Sequence, residues 1–563
     1  MEHAIVILFS NDIPAAVEIA GKLDDYTTYV FDPTLVDRVM TSKLANMKLI
    51  TWDDCIDYSE LVDWSHTAAF EFERTLDRSV RDIIPDISID SWQHLNLYNF
   101  FAGYKWFTGC WNKALETIRD TKFHIFMYDN PSHSVFPSFI PSLLLMQKLR
   151  TDNVEFSAYT YGKAADDTDL VPNLCRTDNP ADSSTILTHL PTCLYDHTYF
   201  SDELKASGKP VVNIRSKYWD VPIEAAETIS LINVKDLDDS ISHPFMETVD
   251  LFYNQVSEQL DRLLEPYIAS PVYRSRQSGH MAGIYRSQLV TYYLLEEYFK
   301  GGKPYKALLS EHDAGFHGPI LSFAARHNIP VLLVPHSKGM GTLEFNYSNV
   351  TALTHPIQGE SILDQHGKRV LNFNLMYPET FVTSTIFPDR IKKIGLLLNG
   401  LSLNGMYTTR YRPYIDGIKR ICQWCRENDI ELNVRCRPGL SMLVLIANET
   451  GIEINALSRD LNVPLLEFAQ SNDLCLMYDT PTTAVLEFLR NSIPILNPVP
   501  EDISWGEANT VSSKIVPRGS VETIINSMDA LVSDAINFHI FRTTQFRDYL
   551  NLFSGAYPLR HFL

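Results

Sequence analysis

The sequence predicts an α/β protein made of two Rossmann-like parallel-sheet domains that face a common cleft. Wholly apolar segments typical of buried strands alternate with segments of helical period, beginning with His3–Ser10, Ile13–Leu23 and Tyr26–Phe31. The alternation resumes at Lys393–Leu398. Because 563 residues exceed the size of one hydrophobic core, two to four domains are expected.

We place an N-terminal α/β domain with helical insertions at 1–385 and a C-terminal nucleotide-binding domain at 390–520. Residues 521–563 are predicted to form helices that pack back across both domains.

Composition excludes several classes of protein. The net charge of −21 argues against general affinity for nucleic acid or anionic lipid. We find no signal peptide, and no apolar run approaches the ~18 residues of a membrane span. A cytoplasmic protein without a transmembrane segment is therefore expected, and peripheral membrane association stays open.

Eight thinly spread cysteines indicate reduced thiols. Cys422 and Cys425 form a CxxC pattern inside a predicted helix, Pro413–Asn428. A redox pair would sit at a helix N-terminus, and a zinc site would need a second pair, so core packing is the preferred interpretation.

The N-terminal half contains further predicted elements. Residues from about 173 to 239 are expected to be irregular with brief strands. The stretch that ends at residue 389, directly before the C-terminal domain, is expected to form a linker with short strands. The other predictions are strands at Lys48–Trp52, His124–Tyr128 and Val154–Tyr161, and helices at Ser65–Ile83, Trp92–Thr121 and Pro244–Pro266.

Two charged segments have alternative interpretations. Asp166–Asp169 contains an Asp-x-Asp pattern, but it lacks flanking strands, so a solvated loop is favoured over a metal site. The basic segment Ser270–Lys306, with Arg274 and Arg276, is either a contact for an anionic substrate or a solvated helix face.

A βαβ unit between Lys306 and Lys338 carries the candidate catalytic groups. Glu311, His312 and Asp313 follow its first strand, and His336, Ser337 and Lys338 follow its second. Ligands of parallel sheets bind beyond the carboxyl ends of the strands, so both groups are expected in one crevice. A carboxylate, an imidazole and an ammonium together suit acid–base or nucleophilic chemistry.

The C-terminal domain carries the candidate phosphate site. In Asn472–Pro500, the strand Leu474–Tyr478 is followed by Thr480-Pro481 as a helix start. A helix N-terminus flanked by hydroxyl groups favours phosphate oxygens, although the same residues also make an ordinary helix cap. Thr482 and Thr483 supply those hydroxyls, and Glu487 lies on the same helical face within reach of a ribose.

Other strands of this domain end in residues suited to the same ligand. Strand Lys393–Leu398 leads to Gly400, and strand Glu431–Cys436 contains Arg435 and leads to Arg437. A further strand is predicted at Pro464–Glu467. Neither a dinucleotide fingerprint nor a Walker A sequence is present.

These residues and their order resemble the GT-B glycosyltransferases over about Lys306–Lys338 and Lys393–Pro500. Within that superfamily the chain is most similar to enzymes of bacterial surface-polysaccharide assembly that use CMP-activated Kdo or sialic acid. It departs from them at Arg437-Pro438, where many relatives carry His-Pro.

The resemblance implies metal-independent sugar transfer from a nucleotide-sugar donor to a glycan or glycolipid acceptor in surface-polysaccharide or lipopolysaccharide synthesis, with no cofactor. It implies chemistry at Asp313 and His336, and nucleotide binding at Gly400, Arg435, Arg437, Thr482, Thr483 and Glu487. Asp313 would act either as a base, with inversion, or as a nucleophile, with retention. A sugar-nucleotide 2-epimerase and a non-catalytic binding or scaffold protein are the alternatives.

Overall fold

The computed structural model describes most of the chain, in segments separated by short gaps. These segments are residues 2–51, 58–90, 92–118, 120–128, 139–162, 184–189, 197–214, 227–229, 239–299, 306–310, 318–333, 350–354, 373–376, 390–398, 410–436, 442–459, 461–479, 484–500, 514–552 and 557–563.

The first part of the chain alternates strands and helices around a five-stranded parallel sheet. Its elements are β1 Glu2–Ile7, α1 Asp12–Ala20, β2 Tyr26–Val30, α2 Val36–Met40, β3 Met47–Leu49, α3 Tyr58–Val80, α4 His94–Thr117, β4 Thr121–Tyr128, α5 Phe139–Thr151 and β5 Phe156–Tyr161. The strand order is β3-β2-β1-β4-β5, and every pairing is parallel.

The middle part builds a second parallel sheet, with long helices beside it. Its elements are β6 Ile186–His189, α6 His197–Ala206, β7 Val211–Ile214, β8 Glu227–Ile229, α7 Asp239–Leu264, α8 Pro271–Tyr298, β9 Ala307–Ser310, α9 Gly318–Arg326, β10 Val331–Leu333, β11 Val350–Thr354 and β12 Phe373–Met376.

The last part forms a third parallel sheet and a helical C-terminal region. Its elements are β13 Lys393–Leu398, α10 Tyr411–Glu427, β14 Glu431–Cys436, α11 Leu443–Thr450, α12 Ile454–Arg459, α13 Leu465–Gln470, β15 Leu474–Tyr478, α14 Ala484–Arg490, β16 Ile495–Val499, β17 Arg518–Ser520, α15 Val521–Ser533, α16 Ala535–Leu552 and β18 Tyr557–Pro558.

Buried apolar side chains form several cores around these sheets, and one of them contains residues of both the first and the third sheets. Helices α3, α7 and α8 enclose the core of the second sheet, where the indole N–H of Trp92 donates to Ser322 Oγ at 2.9 Å. The third sheet packs on α10, whose buried residues recur at helical spacing, including Tyr414, Ile418 and Ile421.

The C-terminal region joins the third sheet to the second. The side chain of Gln545 in α16 bonds both the amide and the carbonyl of Ile495 in β16, at 2.9 and 2.8 Å. Strand β18 then pairs in parallel with β12 and becomes the eighth strand of the second sheet. Beyond it, Arg560 contacts the buried carboxylate of Glu203 with its amide and its guanidinium, at 2.9 and 2.8 Å.

The first and third parts of the chain also touch. The carboxylate of Asp37 in α2 accepts hydrogen bonds from the amides of Val444 and Leu445, at 3.0 and 3.1 Å. These amides belong to the first turn of α11 and lack partners within the helix, so Asp37 caps that helix from another part of the chain.

The predicted α/β class with parallel sheets is confirmed. The described residues form three such sheets, whereas two parallel-sheet domains are predicted. The interval 173–239, expected to be irregular with brief strands, supplies β6, β7 and β8 to the second sheet. The expected linker with short strands supplies β11 and β12. These strands have three to five residues, so their pairing partners could not be predicted from periodicity.

One predicted strand is wrong. Pro464–Glu467 was assigned to a strand, but Leu465–Gln470 is the helix α13. No room exists for that strand beside β13, since β14 and β15 occupy both of its edges. The bounds predicted for the strands Lys393–Leu398, Glu431–Cys436 and Leu474–Tyr478 are confirmed.

Candidate functional site

The third sheet has a topological switch point between β13 and β15. Its strand order is β14-β13-β15-β16-β17, so the chain leaves β13 toward one side for β14 and returns on the other side for β15. Leu398 and Tyr478, at the ends of β13 and β15, are in register. In open parallel sheets ligands bind beyond the strand ends at such a point. The sequences that follow these two ends contain Gly400 and Thr480–Thr483.

A tightly held turn begins at the end of β15. Asp479 has a φ of 66°, in the left-handed region that aspartate tolerates better than most residues. Its amide donates to the carbonyl of Pro498 at 2.9 Å, and its carbonyl accepts from Asn497 Nδ2 at 2.8 Å. The backbone direction at the exit of β15 is therefore fixed by contacts from β16.

The second sheet has its own switch point, between β6 and β9. The strand order is β8-β7-β6-β9-β10-β11-β12-β18, and the chain reverses direction across the sheet between β8 and β9. His189 at the end of β6 is in register with Ser310 at the end of β9, and both are buried. Ser310 is also in register with Leu333 of β10.

The register places the ends of β9 and β10 next to each other at one edge of the sheet. In the sequence Glu311 follows β9 and His336 follows β10, and both lie outside the described residues. His189 reaches this edge from the other neighbour of β9. Sequence reasoning missed His189, which ends the short segment Thr185–His189 two residues before Pro191.

Most of the predicted site residues lie outside the described residues. These are Glu311, His312, Asp313, His336, Lys338, Gly400, Arg437, Thr482 and Thr483, together with the predicted N-cap and N1 residues Thr480 and Pro481 and the acidic loop Asp166–Asp169. Their roles stay predictions.

Arg435 and Glu487 are described, and each has a contact within the protein. Arg435 Nη2 donates to the carbonyl of Val463 at 3.0 Å, so its guanidinium lies over the connection between α12 and α13. Glu487 Oε1 lies 3.2 Å from Arg490 Nη1 on a partly exposed face of α14. The pair is partly buried, with 36% of the Glu487 side chain and 19% of the Arg490 side chain exposed, and the role of Glu487 as a ribose contact stays a prediction.

Arg274 is held by carboxylates that lie before the basic segment. Its guanidinium is 3.2 Å from Asp261 and 3.8 Å from Glu265, and only 13% of its side chain is exposed. Arg286 is paired in the same way with Asp250 at 2.9 Å. Acidic groups of α7 therefore offset much of the local positive charge. The roles of Arg274 and its neighbour Arg276 as anion contacts stay predictions.

The CxxC cysteines are buried in the core of the third sheet. Burial raises the pKa of Cys422 to about 11 and that of Cys425 to about 12. Both are therefore protonated thiols at neutral pH, as expected for packing residues. Among the described residues no cluster of histidine, cysteine or acidic side chains has the arrangement of a metal site.

The switch point of the first sheet lies between β1 and β4, and a carboxylate already occupies it. Asp12 Oδ2 accepts from the amides of Leu8 and Phe9 at 2.9 and 2.8 Å, and Oδ1 accepts from the Tyr161 hydroxyl at 2.5 Å. These amides are therefore taken by an internal anion.

Comparisons with known proteins give fold-level likeness at low similarity. No family model and no curated protein matches the sequence. Among solved structures, Acinetobacter baumannii MurG aligns at 8% identity and a TM-score of 0.35, covering 67% of this chain and 96% of that one. The Burkholderia multivorans α,α-trehalose 6-phosphate synthase aligns at 9% identity and a TM-score of 0.34, covering 67% and 96%.

Spinosyn rhamnosyltransferase SpnG, solved with spinosyn aglycone, aligns at 11% identity and a TM-score of 0.34, covering 67% of this chain and 97% of that one. These neighbours are glycosyltransferases. At such TM-scores the alignments transfer neither site residues nor a substrate to this chain. Within the described part of the protein, no helix combines the length and apolar character needed to cross a bilayer.

Proposed function

We propose that this protein is a glycosyltransferase that moves a sugar from a nucleotide-activated donor to a glycan or glycolipid acceptor. One observation carries the proposal: the second and third sheets each have a topological switch point. Candidate acid–base residues follow the strands at the switch point of the second sheet in the sequence. Candidate phosphate-binding residues follow the strands at the switch point of the third sheet.

The third sheet would hold the donor. The helix following the Asp479 turn, with Thr482 and Thr483 before it, would stabilise the phosphate that leaves the sugar, and Arg437 would add positive charge. Gly400 would allow close approach of the backbone across the switch point, and Glu487 would receive the ribose. This set uses fixed dipoles and side-chain charge in place of a metal ion.

The second sheet would provide the chemistry. In the transfer, the bond between the anomeric carbon and the phosphate oxygen breaks, and the electron pair leaves with the nucleotide. Asp313 would take the proton of the acceptor hydroxyl as the new glycosidic bond forms, which inverts the anomeric centre. Direct attack by Asp313 would give a covalent intermediate and retention instead. His336 would orient or protonate, and Lys338 would hold an anionic group.

A CMP-activated sugar such as CMP-Kdo is the favoured donor, ahead of UDP- and GDP-sugars, and the setting is surface-polysaccharide or lipopolysaccharide synthesis in the cytoplasm. The donor preference rests on the sequence resemblance alone. Thermal-shift measurements with CMP, UDP, GDP and CDP test it directly, because a ligand that binds only the folded state raises the melting temperature by mass action.

The catalytic assignment is tested with Asp313→Asn. We expect this variant to lose at least a hundredfold in transfer rate, in line with removal of a general base, while its nucleotide affinity stays within a few fold. Asp416→Asn, which removes a carboxylate that is 73% exposed on α10, is the matched control and should retain full activity. Full activity of Asp313→Asn would refute the assignment. Conversion of the donor without any acceptor would identify an epimerase instead.

A further inference from the structure

Strand β16 contains an asparagine–proline pair, Asn497 and Pro498, and the asparagine side chain bonds to the backbone of the neighbouring strand. Asn497 is 2% exposed, and its side-chain Nδ2 donates to two backbone carbonyls of β15 and its exit, those of Met477 at 2.5 Å and Asp479 at 2.8 Å. The side-chain amide of Asn497 therefore donates two hydrogen bonds to one short stretch of backbone.

The register of the two strands explains the first of these bonds. The amide of Cys475 donates to the carbonyl of Pro494, and that of Asp479 donates to the carbonyl of Pro498, both at 2.9 Å. In a parallel ladder of this register, the carbonyl of Met477 would accept from the amide of residue 498. That residue is proline and has no N–H. The Asn497 side chain therefore replaces the ladder bond that Pro498 cannot make.

The second bond has no counterpart in the ladder. It ties the carbonyl of Asp479, the residue in the left-handed conformation, to the same amide group. The backbone amide of Asn497 donates in the opposite direction, to the carbonyl of Pro517 next to β17, at 2.9 Å. Asn497 is thus held from β17 while it holds the exit of β15.

We propose that Asn497 is a positioning residue for the donor site, which fixes the backbone at Asp479, from which the chain continues to the candidate phosphate-binding residues Thr482 and Thr483. This inference rests on the proposed function. Pro498 contributes by leaving the Met477 carbonyl open to the side chain, which places Nδ2 where it also reaches Asp479. Asn497 itself is not placed in contact with the donor.

The test compares Asn497→Ala with Asn433→Ala in the full-length protein. Asn433 is a matched control because it is buried in the same sheet and its Nδ2 donates to Asn472 Oδ1 at 2.9 Å, at the amino end of β15. Both variants lose a buried amide and should lower the urea midpoint. Only Asn497→Ala should speed hydrogen exchange of the peptide 477–484, by at least tenfold, and weaken CMP binding by at least tenfold in calorimetric titration.

A double variant separates the two bonds of Asn497. In Asn497→Ala with Pro498→Ala, the new backbone N–H at residue 498 can serve the carbonyl of Met477, whereas that of Asp479 stays without its donor. The urea midpoint should recover toward the wild-type value, while exchange at Asp479 stays fast and CMP binding stays weak. Recovery of all three would show a role in stability only and would overturn the inference.

The experiment distinguishes failure of the positioning role of Asn497 from failure of the proposed function. Equal exchange rates in Asn497→Ala and Asn433→Ala would overturn the positioning role. Faster exchange in Asn497→Ala, with a wild-type protein that binds none of CMP, UDP, GDP and CDP, would support the role of Asn497 in holding the turn and refute the proposed function.

Discussion

Replacing Asp12 by asparagine is expected to remove a pH-dependent loss of stability from the first sheet. The Asp12 side chain is fully buried between the end of β1 and Tyr161. Burial raises the pKa of its carboxyl group from 3.8 to about 6, although the hydrogen bonds from Tyr161 and from the amides of Leu8 and Phe9 act in the opposite direction. The folded protein therefore holds this proton more tightly than the unfolded chain does.

The sign and size of the effect follow from that difference. A raised pKa gives stability that is fully present below pH 3.8 and is lost as the pH rises through 6. At about 1.4 kcal/mol per pH unit, the difference between 3.8 and 6 corresponds to about 3 kcal/mol in total, with about 1.3 kcal/mol of it lost between pH 5 and pH 7.

Asparagine can keep the same contacts without the charge. Its oxygen can accept from both backbone amides in the place of Oδ2, and its amide can donate to the Tyr161 oxygen after the hydroxyl turns. We expect Asp12→Asn to equal the wild type near pH 4 and to exceed it by up to about 3 kcal/mol at pH 7.5, since its free energy of unfolding lacks the titrating group.

Urea unfolding at a series of pH values, followed by tryptophan fluorescence, measures this difference. Trp106 and Trp111 lie in the core of the first sheet and report on its unfolding. The exposed substitution Asp24→Asn controls for the change in net charge. If the wild type and Asp12→Asn show the same slope of unfolding free energy against pH, the assignment of a raised pKa to Asp12 is refuted.

Three further substitutions test the packing and capping of individual helices. A Cβ on Gly417 of α10 would lie 2.1 Å from the Tyr478 hydroxyl, which is anchored 2.6 Å from the Tyr414 carbonyl, so Gly417→Ala should cost about 1–3 kcal/mol of unfolding free energy. In Gly283→Ala of α8, the new Cβ meets nothing within 4 Å, so the free energy of unfolding should rise by up to about 1 kcal/mol. Equal urea midpoints for Gly417→Ala and Gly283→Ala would contradict this packing. Asp37→Ala removes the cap on α11 and should cost about 0.5–2 kcal/mol, with faster hydrogen exchange at the first turn of α11; unchanged exchange there would argue against the cap.

Local sequence patterns were sufficient for the strands that are buried on both faces. Lys393–Leu398 and Leu474–Tyr478 are continuous apolar runs bounded by polar residues, and their bounds agree with β13 and β15. A strand of five or six residues with this composition has few alternatives, because parallel strands covered on both faces must be apolar along their whole length. The interpretation of Cys422 and Cys425 as core residues followed from their place inside a predicted helix and from the lack of a second cysteine pair.

Short strands and pairing partners were decided by tertiary structure. The strand β6 has four residues, and its place beside β9 depends on contacts over more than one hundred residues of sequence. For the same reason His189 did not appear as a candidate, since only the strand order brings it to the edge where Glu311 follows. Pro464–Glu467 shows the converse case, in which a short apolar run begins a helix and not a strand.

Short segments of sequence were enough to predict the α/β class, the parallel sheets and the order in which candidate residues follow the strands, because these depend on hydrophobic period and turn chemistry. The three sheets of the described residues, the neighbours of each strand and the hydrogen bonds from Asn497 to the exit of β15 depend instead on tertiary contacts. Those contacts join strands that are distant in the sequence, which patterns within short segments do not specify.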